Sequence, residues 1–141
     1  MISLVLAPLL LSQAGADALD CDNAMTQAAM NMCSKREFDR ADEALNAVWN
    51  DVRTLAKRED AAYDYDDGQP GYWETLLKAQ RAWLIYRDEH CRLSSYDARG
   101  GSLQPLLVNN CMTSLTETRT RELRALLENQ VSGEPKSVSE E

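Results

Sequence analysis

The chain has 141 residues, enough for one domain with a substantial core, and its 44% hydrophobic and 27% charged content is typical of a globular protein. The formal net charge is -8, and no segment is strongly basic. This balance argues against nucleic-acid binding and favours basic partners through long-range attraction.

Residues 1–18 have the pattern of a signal peptide. An apolar run over residues 2–11 is followed by small residues at Ala14, Ala16 and Ala18, as in A-x-A cleavage sites. The run is too short to cross a bilayer as a mature helix. We therefore predict a periplasmic or secreted protein without stable membrane insertion. A buried N-terminal helix is the alternative.

The four cysteines agree with export, because an even number in an exported domain indicates disulfides. Three connectivities are open. Pairing Cys21 with Cys33 and Cys91 with Cys111 is preferred, since each pair closes a short loop worth ~3 kcal/mol in the chain-entropy model. The alternative is zinc or free thiols, although the sequence has no C-x-x-C motif and a single histidine, His90.

Two helical segments are predicted before the first loop. A short one covers residues 23–32. A longer one begins at Ser34, which can form a capping box with Glu37, and ends at about Arg58. Apolar residues in the longer segment repeat at the 3-4-3-4-3 spacing of an amphipathic helix: Phe38, Ala41, Leu45, Val48, Val52 and Leu55.

Residues 59–71 form a predicted loop, because the segment closes on two glycines and a proline. It also contains five carboxylates and two tyrosines. The spacing of Asp64, Asp66 and Asp67 does not match an EF-hand calcium loop. The loop is therefore either a solvated connection or a contact surface for a partner, with these three aspartates as candidate contacts.

A second helix is predicted from Tyr72 to about Tyr96. Gln80, Trp83, Arg87 and Cys91 follow i, i+3, i+7 and i+11, so they lie on one side of it. A buried guanidinium and a buried amide are costly without partners. The rest of the chain should therefore supply a carboxylate.

The second helix ends at Arg99, Gly100 and Gly101, since paired glycines suit left-handed backbone angles. A third helix follows, with Pro105 in its first turn, where a missing N–H is tolerated. Residues 130–141 have few core-forming side chains and are predicted to be a disordered acidic tail. The expected fold of residues 19–129 is all-α: a small antiparallel three-helix bundle with a short N-terminal helical segment and two disulfides.

Aligning the three helices by residue count predicts an internal polar network. Asp42 falls near the level of Arg119 and about one turn from Arg87, so it is the expected carboxylate partner of one of them. Asn46 and Gln80 are expected to satisfy the remaining polar atoms. On this prediction, Asp42→Ala should destabilise the fold by about 3–5 kcal/mol, as for an orphaned buried charge.

No residue pattern indicates catalysis. Hydrolases of the serine or cysteine type use a histidine base, and His90 lies at a helix end. Carboxylate pairs such as Asp39 with Glu43 are placed on polar helix surfaces among basic neighbours. We predict a non-enzymatic protein without catalytic residues, cofactor or metal site.

The chain carries a set of motifs at Asp42, Leu45-Asn46, Gln80-Arg81-Ala82-Trp83, Tyr86-Arg87, Cys91, Gly100-Gly101, Cys111, Thr116 and Arg119. This set resembles the LprI-like domain family, also described as a domain of unknown function. The resemblance extends from about Cys21 to Leu127 and implies a small, exported, helical, disulfide-bonded domain. One mycobacterial lipoprotein member of the family is regarded as a lysozyme inhibitor. Asp20 stands before Cys21 where lipidation needs a small residue, so membrane anchoring is not expected.

Two functions of different classes follow. In the first, the protein is an inhibitor or binding module for a basic envelope-active protein such as lysozyme. In the second, it is a structural or stress-related periplasmic protein without inhibitory activity. The sequence leaves the oligomeric state open. Candidate contacts for the first function are Asp64, Asp66, Asp67, Arg99, Gly100 and Gly101.

Overall fold

The computed structural model describes the backbone of residues 19–132 and the side chains of residues 19–129. Helix α1 spans Gln27–Ala62, α2 spans Tyr72–Ser94, and α3 spans Gln104–Ser132; a single 3-10 turn at Tyr96–Ala98 follows α2. Residues 19–132 contain no strand. The predicted signal peptide lies outside the described residues. Most of the predicted tail also lies outside them. Helix α3 extends to Ser132, so the first three residues of the predicted tail, 130–132, are helical.

Helix α1 is continuous, so the prediction of a separate short N-terminal helix with a new start at Ser34 is wrong. The helix begins after Thr26, whose Oγ1 accepts the Ala29 N–H at 3.1 Å. No glycine or proline separates the alanine- and methionine-rich start from the amphipathic part, so nothing interrupts helix propagation. Ser34 is buried instead, and its Oγ accepts a hydrogen bond from Asn109 of α3 at 3.0 Å.

The helices pack as an antiparallel bundle around a core contributed mainly by α1 and α3, which share the most extensive contact. The fully packed cluster consists of Leu45, Val48 and Val52 from α1 with Leu123 from α3. These α1 residues belong to the apolar pattern predicted from the sequence. Half-buried side chains that complete this cluster are Trp49, Leu76, Trp83 and Leu127.

Both disulfides have the preferred pairing. Cys21 is joined to Cys33, which ties the segment before α1 back onto that helix. Cys91 is joined to Cys111 and links the end of α2 to the start of α3. All four cysteines are therefore paired, and the zinc and free-thiol alternatives are wrong. Disulfides persist in oxidising compartments, so the pairing indicates an extracytoplasmic protein.

The bundle has two ends that differ in chemistry. The disulfide pole contains the start of α1, the end of α2 and the start of α3. The loop pole contains the end of α1, residues 63–71, the start of α2 and the end of α3. Helix α2, with 23 residues, separates the two poles by about 35 Å at a rise of ~1.5 Å per residue.

Candidate functional site

Arg87 is the centre of the internal network. Its side chain is only 8% exposed, and its Nη1 donates to Asp42 Oδ1 at 3.2 Å and to Thr116 Oγ1 at 3.3 Å. Its Nε donates to Asp88 Oδ1 at 2.9 Å. One guanidinium therefore joins all three helices through charge-assisted hydrogen bonds.

Two aromatic rings pack against the same guanidinium. The Cζ of Arg87 lies 5.3 Å from the ring centre of Phe38 and 5.2 Å from that of Trp83. Both distances are within the range of cation–π attraction. Arg119 also approaches Trp83, at 6.0 Å. The indole thus contacts both arginines of the network.

Of the two arginines expected for Asp42, the structure selects Arg87. Arg119 instead donates through Nε to Gln80 Oε1 at 3.0 Å and pairs with Glu122 at 2.8 Å. Asn46 donates to the second carboxylate oxygen of Asp42 at 3.1 Å. All five residues predicted from the sequence therefore take part in one connected set of contacts.

The structure also adds a carboxylate that sequence reasoning missed. Asp88 follows Arg87 directly, and adjacent residues do not face each other on a helix, so spacing gave no signal for the pair. Asp42 is 38% exposed, and Asp88 is 49% exposed. If Asp42 were removed, Arg87 would still be paired with the carboxylate of Asp88. The expected 3–5 kcal/mol loss for Asp42→Ala is therefore too large, and about 1–2 kcal/mol fits this geometry.

The network supports the fold and does not form an open site. Among the described residues, no buried side-chain nitrogen or oxygen lacks a hydrogen-bond partner. Buried polar groups that are mutually satisfied fix one arrangement of the helices. The polar side chains near Trp83 therefore hydrogen-bond within the protein and contribute to its stability.

The loop pole contains a second residue that the sequence did not reveal. Helix α2 starts after Gly71, which has no side chain to cap it. Asp60, near the end of α1, accepts the backbone N–H groups of Tyr72 at 2.6 Å and Trp73 at 3.0 Å. This carboxylate caps α2 from another helix and fixes the angle at which the loop closes. Asp60 precedes Tyr72 by twelve residues, so no local capping motif in the sequence predicts this contact.

A groove of about 790 Å³ opens beneath the loop at this pole. Val52 of α1, Leu76 of α2 and Leu126 of α3 line it with aliphatic surface. Three tyrosines also line it, and Tyr63 lies edge-on to the other two. Its ring centre is 6.5 Å from that of Tyr65 and 6.4 Å from that of Tyr72.

The loop carboxylates are exposed and organise the loop backbone. Asp66 Oδ1 accepts the Gly68 N–H at 3.0 Å, and Asp67 Oδ1 accepts the Gln69 N–H at 2.9 Å. The phenol of Tyr63 donates to the other oxygen of Asp67 at 3.2 Å. Partial burial raises the pKa of Tyr63, and the charge of Asp67 raises it further. Asp64 is exposed but does not line the groove.

The turn containing Arg99, Gly100 and Gly101 lies at the disulfide pole. Gly100 has a φ of 77°, which favours glycine, and its N–H donates to Gln104 Oε1 at 2.9 Å. The Gly101 N–H donates to the Ala98 carbonyl at 2.9 Å. The turn is thus closed by its own hydrogen bonds. The two sets of predicted partner contacts lie at opposite ends of the bundle and cannot both enter one cleft.

Three further features considered from the sequence are the histidine, a metal site and a membrane segment, and for the latter two the structure describes only residues 19–132. The only histidine stacks on Tyr86, with ring centres 5.2 Å apart. The described part of the chain brings together no group of three metal-ligating side chains. None of its helices has both the length and the apolar character that a membrane crossing requires.

Fold and site together define a small, disulfide-bonded, extracytoplasmic all-α domain, whose buried polar groups are used internally and whose loop pole carries an acidic groove. The family model described as "Lysozyme inhibitor LprI" matches residues 20–123. The chain belongs to this family, whose description as an inhibitor family fits a non-enzymatic protein.

One curated relative shows how the similarity extends along the chain. It is "Uncharacterized protein R02472" of Rhizobium meliloti (strain 1021), which is 41% identical over 110 residues. The match covers 77% of this chain and 79% of the relative. No solved structure matches the chain.

Proposed function

We propose that the protein is a periplasmic or secreted inhibitor that binds a lysozyme through its loop pole. The family assignment supports lysozyme as the target class, and the two disulfides support export. The observation that carries the proposal is the acidic loop over an open groove at one end of a cross-linked bundle. Such a loop on a rigid scaffold is suited to contact a basic partner.

The choice between the two poles rests on charge. The loop pole presents three exposed aspartates, Asp64, Asp66 and Asp67. The turn at the disulfide pole presents Arg99, whose guanidinium lies 4.7 Å from the ring centre of Tyr96. Like charges across an interface oppose association, so a basic partner favours the acidic pole. The overall charge of -8 adds long-range attraction in the same direction.

The test is a lysozyme-activity assay with the oxidised protein and hen egg-white lysozyme. The variant Asp64→Asn/Asp66→Asn/Asp67→Asn removes three charges while retaining the Oδ1 acceptors that hold the loop backbone. We expect inhibition by the wild type and at least tenfold weaker inhibition by this variant. Inhibition should also weaken with salt, because exposed charges are screened beyond ~10 Å at 0.1 M ionic strength.

A matched control removes the same charge from helix surfaces away from the loop. Glu43, Asp51 and Glu117 are exposed on α1 and α3, and Glu43→Gln/Asp51→Asn/Glu117→Gln changes the net charge equally. This control should inhibit within about twofold of the wild type. Equal losses in both triple variants would assign the effect to net charge and refute the loop as the contact. Absence of inhibition by the wild type would refute the proposed activity for that lysozyme.

A further inference from the structure

The groove at the loop pole combines aliphatic, aromatic and acidic surface. Its deeper part is aliphatic, because Val52 is buried and Leu76 is half-buried. Its outer part is aromatic, because Tyr63, Tyr65 and Tyr72 are 49%, 69% and 51% exposed. Carboxylates complete the lining.

The charge of the lining is one-sided. Four of the described residues that line the groove are carboxylates, and none is lysine, arginine or histidine. Asp60 is engaged by the start of α2, and Glu59 pairs with Arg58 at 3.2 Å. Asp66 and Asp67 accept only from neutral donors, two backbone N–H groups and a phenol. Their negative charge is therefore not balanced by a cation within the described residues.

We propose that this groove binds a lysine or arginine side chain presented by a basic protein partner. The proposal rests on the proposed function and identifies the group of the partner that is recognised. The aliphatic stem of such a side chain fits against Leu76 and Leu126. The cationic head then lies against tyrosine faces, within the ~6 Å range of cation–π attraction, and beside the carboxylates of Asp66 and Asp67.

Charge complementarity disfavours two other occupants. A neutral apolar side chain would fill the aliphatic part but would desolvate the two loop carboxylates without compensation. The segment that follows α3 in the sequence, residues 133–141, has three glutamates and one lysine. Its like charge opposes entry into an acidic groove.

The first experimental arm tests the groove with free ligands. The probes are Nα-acetyl-lysine amide, Nα-acetyl-arginine amide and the neutral Nα-acetyl-norleucine amide, titrated to millimolar concentrations into the oxidised, isotope-labelled protein. We expect amide shifts confined to residues around the groove with both cations, and at least threefold weaker effects with norleucine. Equal effects of the neutral probe, or shifts elsewhere only, would overturn the proposal.

The second arm uses hen egg-white lysozyme and paired variants. Tyr65 and Tyr72 make no side-chain hydrogen bond in the described part of the chain, so both can be replaced without leaving a donor unpaired. In Tyr65→Leu/Tyr72→Leu both side chains remain apolar but the rings are lost, and we expect about tenfold weaker binding. The matched variant Tyr65→Phe/Tyr72→Phe keeps both rings and should bind within about twofold of the wild type.

The two arms separate this inference from the proposed function. Tight lysozyme binding that is unchanged in the leucine variant would leave the proposed function standing and overturn the groove as the recognition site. No lysozyme binding by the wild type would refute the proposed function, while the free-ligand arm would still decide whether the groove accepts a cationic side chain. Melting curves of both double variants verify that they are folded.

Discussion

Gly71 lies so close to Asp60 that a Cβ added to it would stand 2.8 Å from Oδ1 of the aspartate. The backbone of Gly71 is extended, with a φ of -63°, so the constraint is space and not backbone strain. Because the same oxygen caps the start of α2, the lack of a side chain at position 71 is what lets α1 hold α2 at the loop pole.

Gly71→Ala should therefore destabilise the protein by displacing the Asp60 carboxylate. The expected loss of unfolding free energy is about 1–2 kcal/mol, the value of a helix cap. Urea denaturation measures it. In an Asp60→Ala background the same change should cost under ~0.5 kcal/mol, since the cap is already absent. Additive losses in the double variant would contradict the coupling.

The two carboxylates on Arg87 should partly replace each other. Asp42→Ala and Asp88→Ala are each expected to cost about 1–2 kcal/mol, because one charge partner remains. Losing both should cost about 3–5 kcal/mol, since Arg87 is then a buried charge without a counter-ion. Chemical denaturation of the two single variants and the double variant tests this.

A surface ion pair provides the control for that series. Asp39 pairs with Lys35 on the solvent-facing side of α1, and both side chains are more than half exposed. Asp39→Ala should change stability by less than ~0.5 kcal/mol. A double Asp42/Asp88 variant as stable as this control would show that Arg87 does not need its carboxylates.

The disulfides should differ in their order of reduction. Cys21 is exposed, whereas Cys91, in the last turn of α2, is completely buried. Exchange requires access to a sulfur, so limiting reductant should open the Cys21–Cys33 bond first. Alkylation followed by mass spectrometry identifies the freed thiols. Release of Cys91 and Cys111 before Cys21 under native conditions would contradict the burial.

Tyr63 should titrate at a higher pH than an isolated tyrosine. Its pKa is raised in the folded protein by partial burial and by Asp67. The protonated phenol therefore contributes stability below the unfolded pKa, and this contribution is lost as pH rises through the folded value. Tyrosinate absorbance measures the titration. Tyr63→Phe should remove the tyrosine that titrates at the highest pH from the absorbance curve. Asp67→Asn should lower the pKa of Tyr63 relative to the wild type, because it removes the nearby negative charge. An unchanged titration curve in either variant would argue against this assignment.

Much of the fold could be predicted because its signals are local. The apolar repeat from Ala41 to Val52 marks the buried side of α1, and the glycine at position 100 marks the turn before α3. The start of α1 was not predicted correctly. Ser34 has the sequence of a cap, but its hydroxyl contacts Asn109 of α3, and a contact between helices leaves no pattern in one of them.

The sequence by itself determined that the domain is helical, and it established a preference among the three possible cysteine pairings and the requirement that Arg87 find a carboxylate. The structure fixed the pairing as Cys21–Cys33 and Cys91–Cys111. Only the tertiary structure decided that Asp42 meets Arg87 while Arg119 turns to Gln80. It also decided that Asp60 caps α2 and that the two predicted contact loops lie at opposite poles. The physical reason is that helix periodicity and turn chemistry act over a few residues, whereas partner choice and groove shape depend on how whole helices are set against each other.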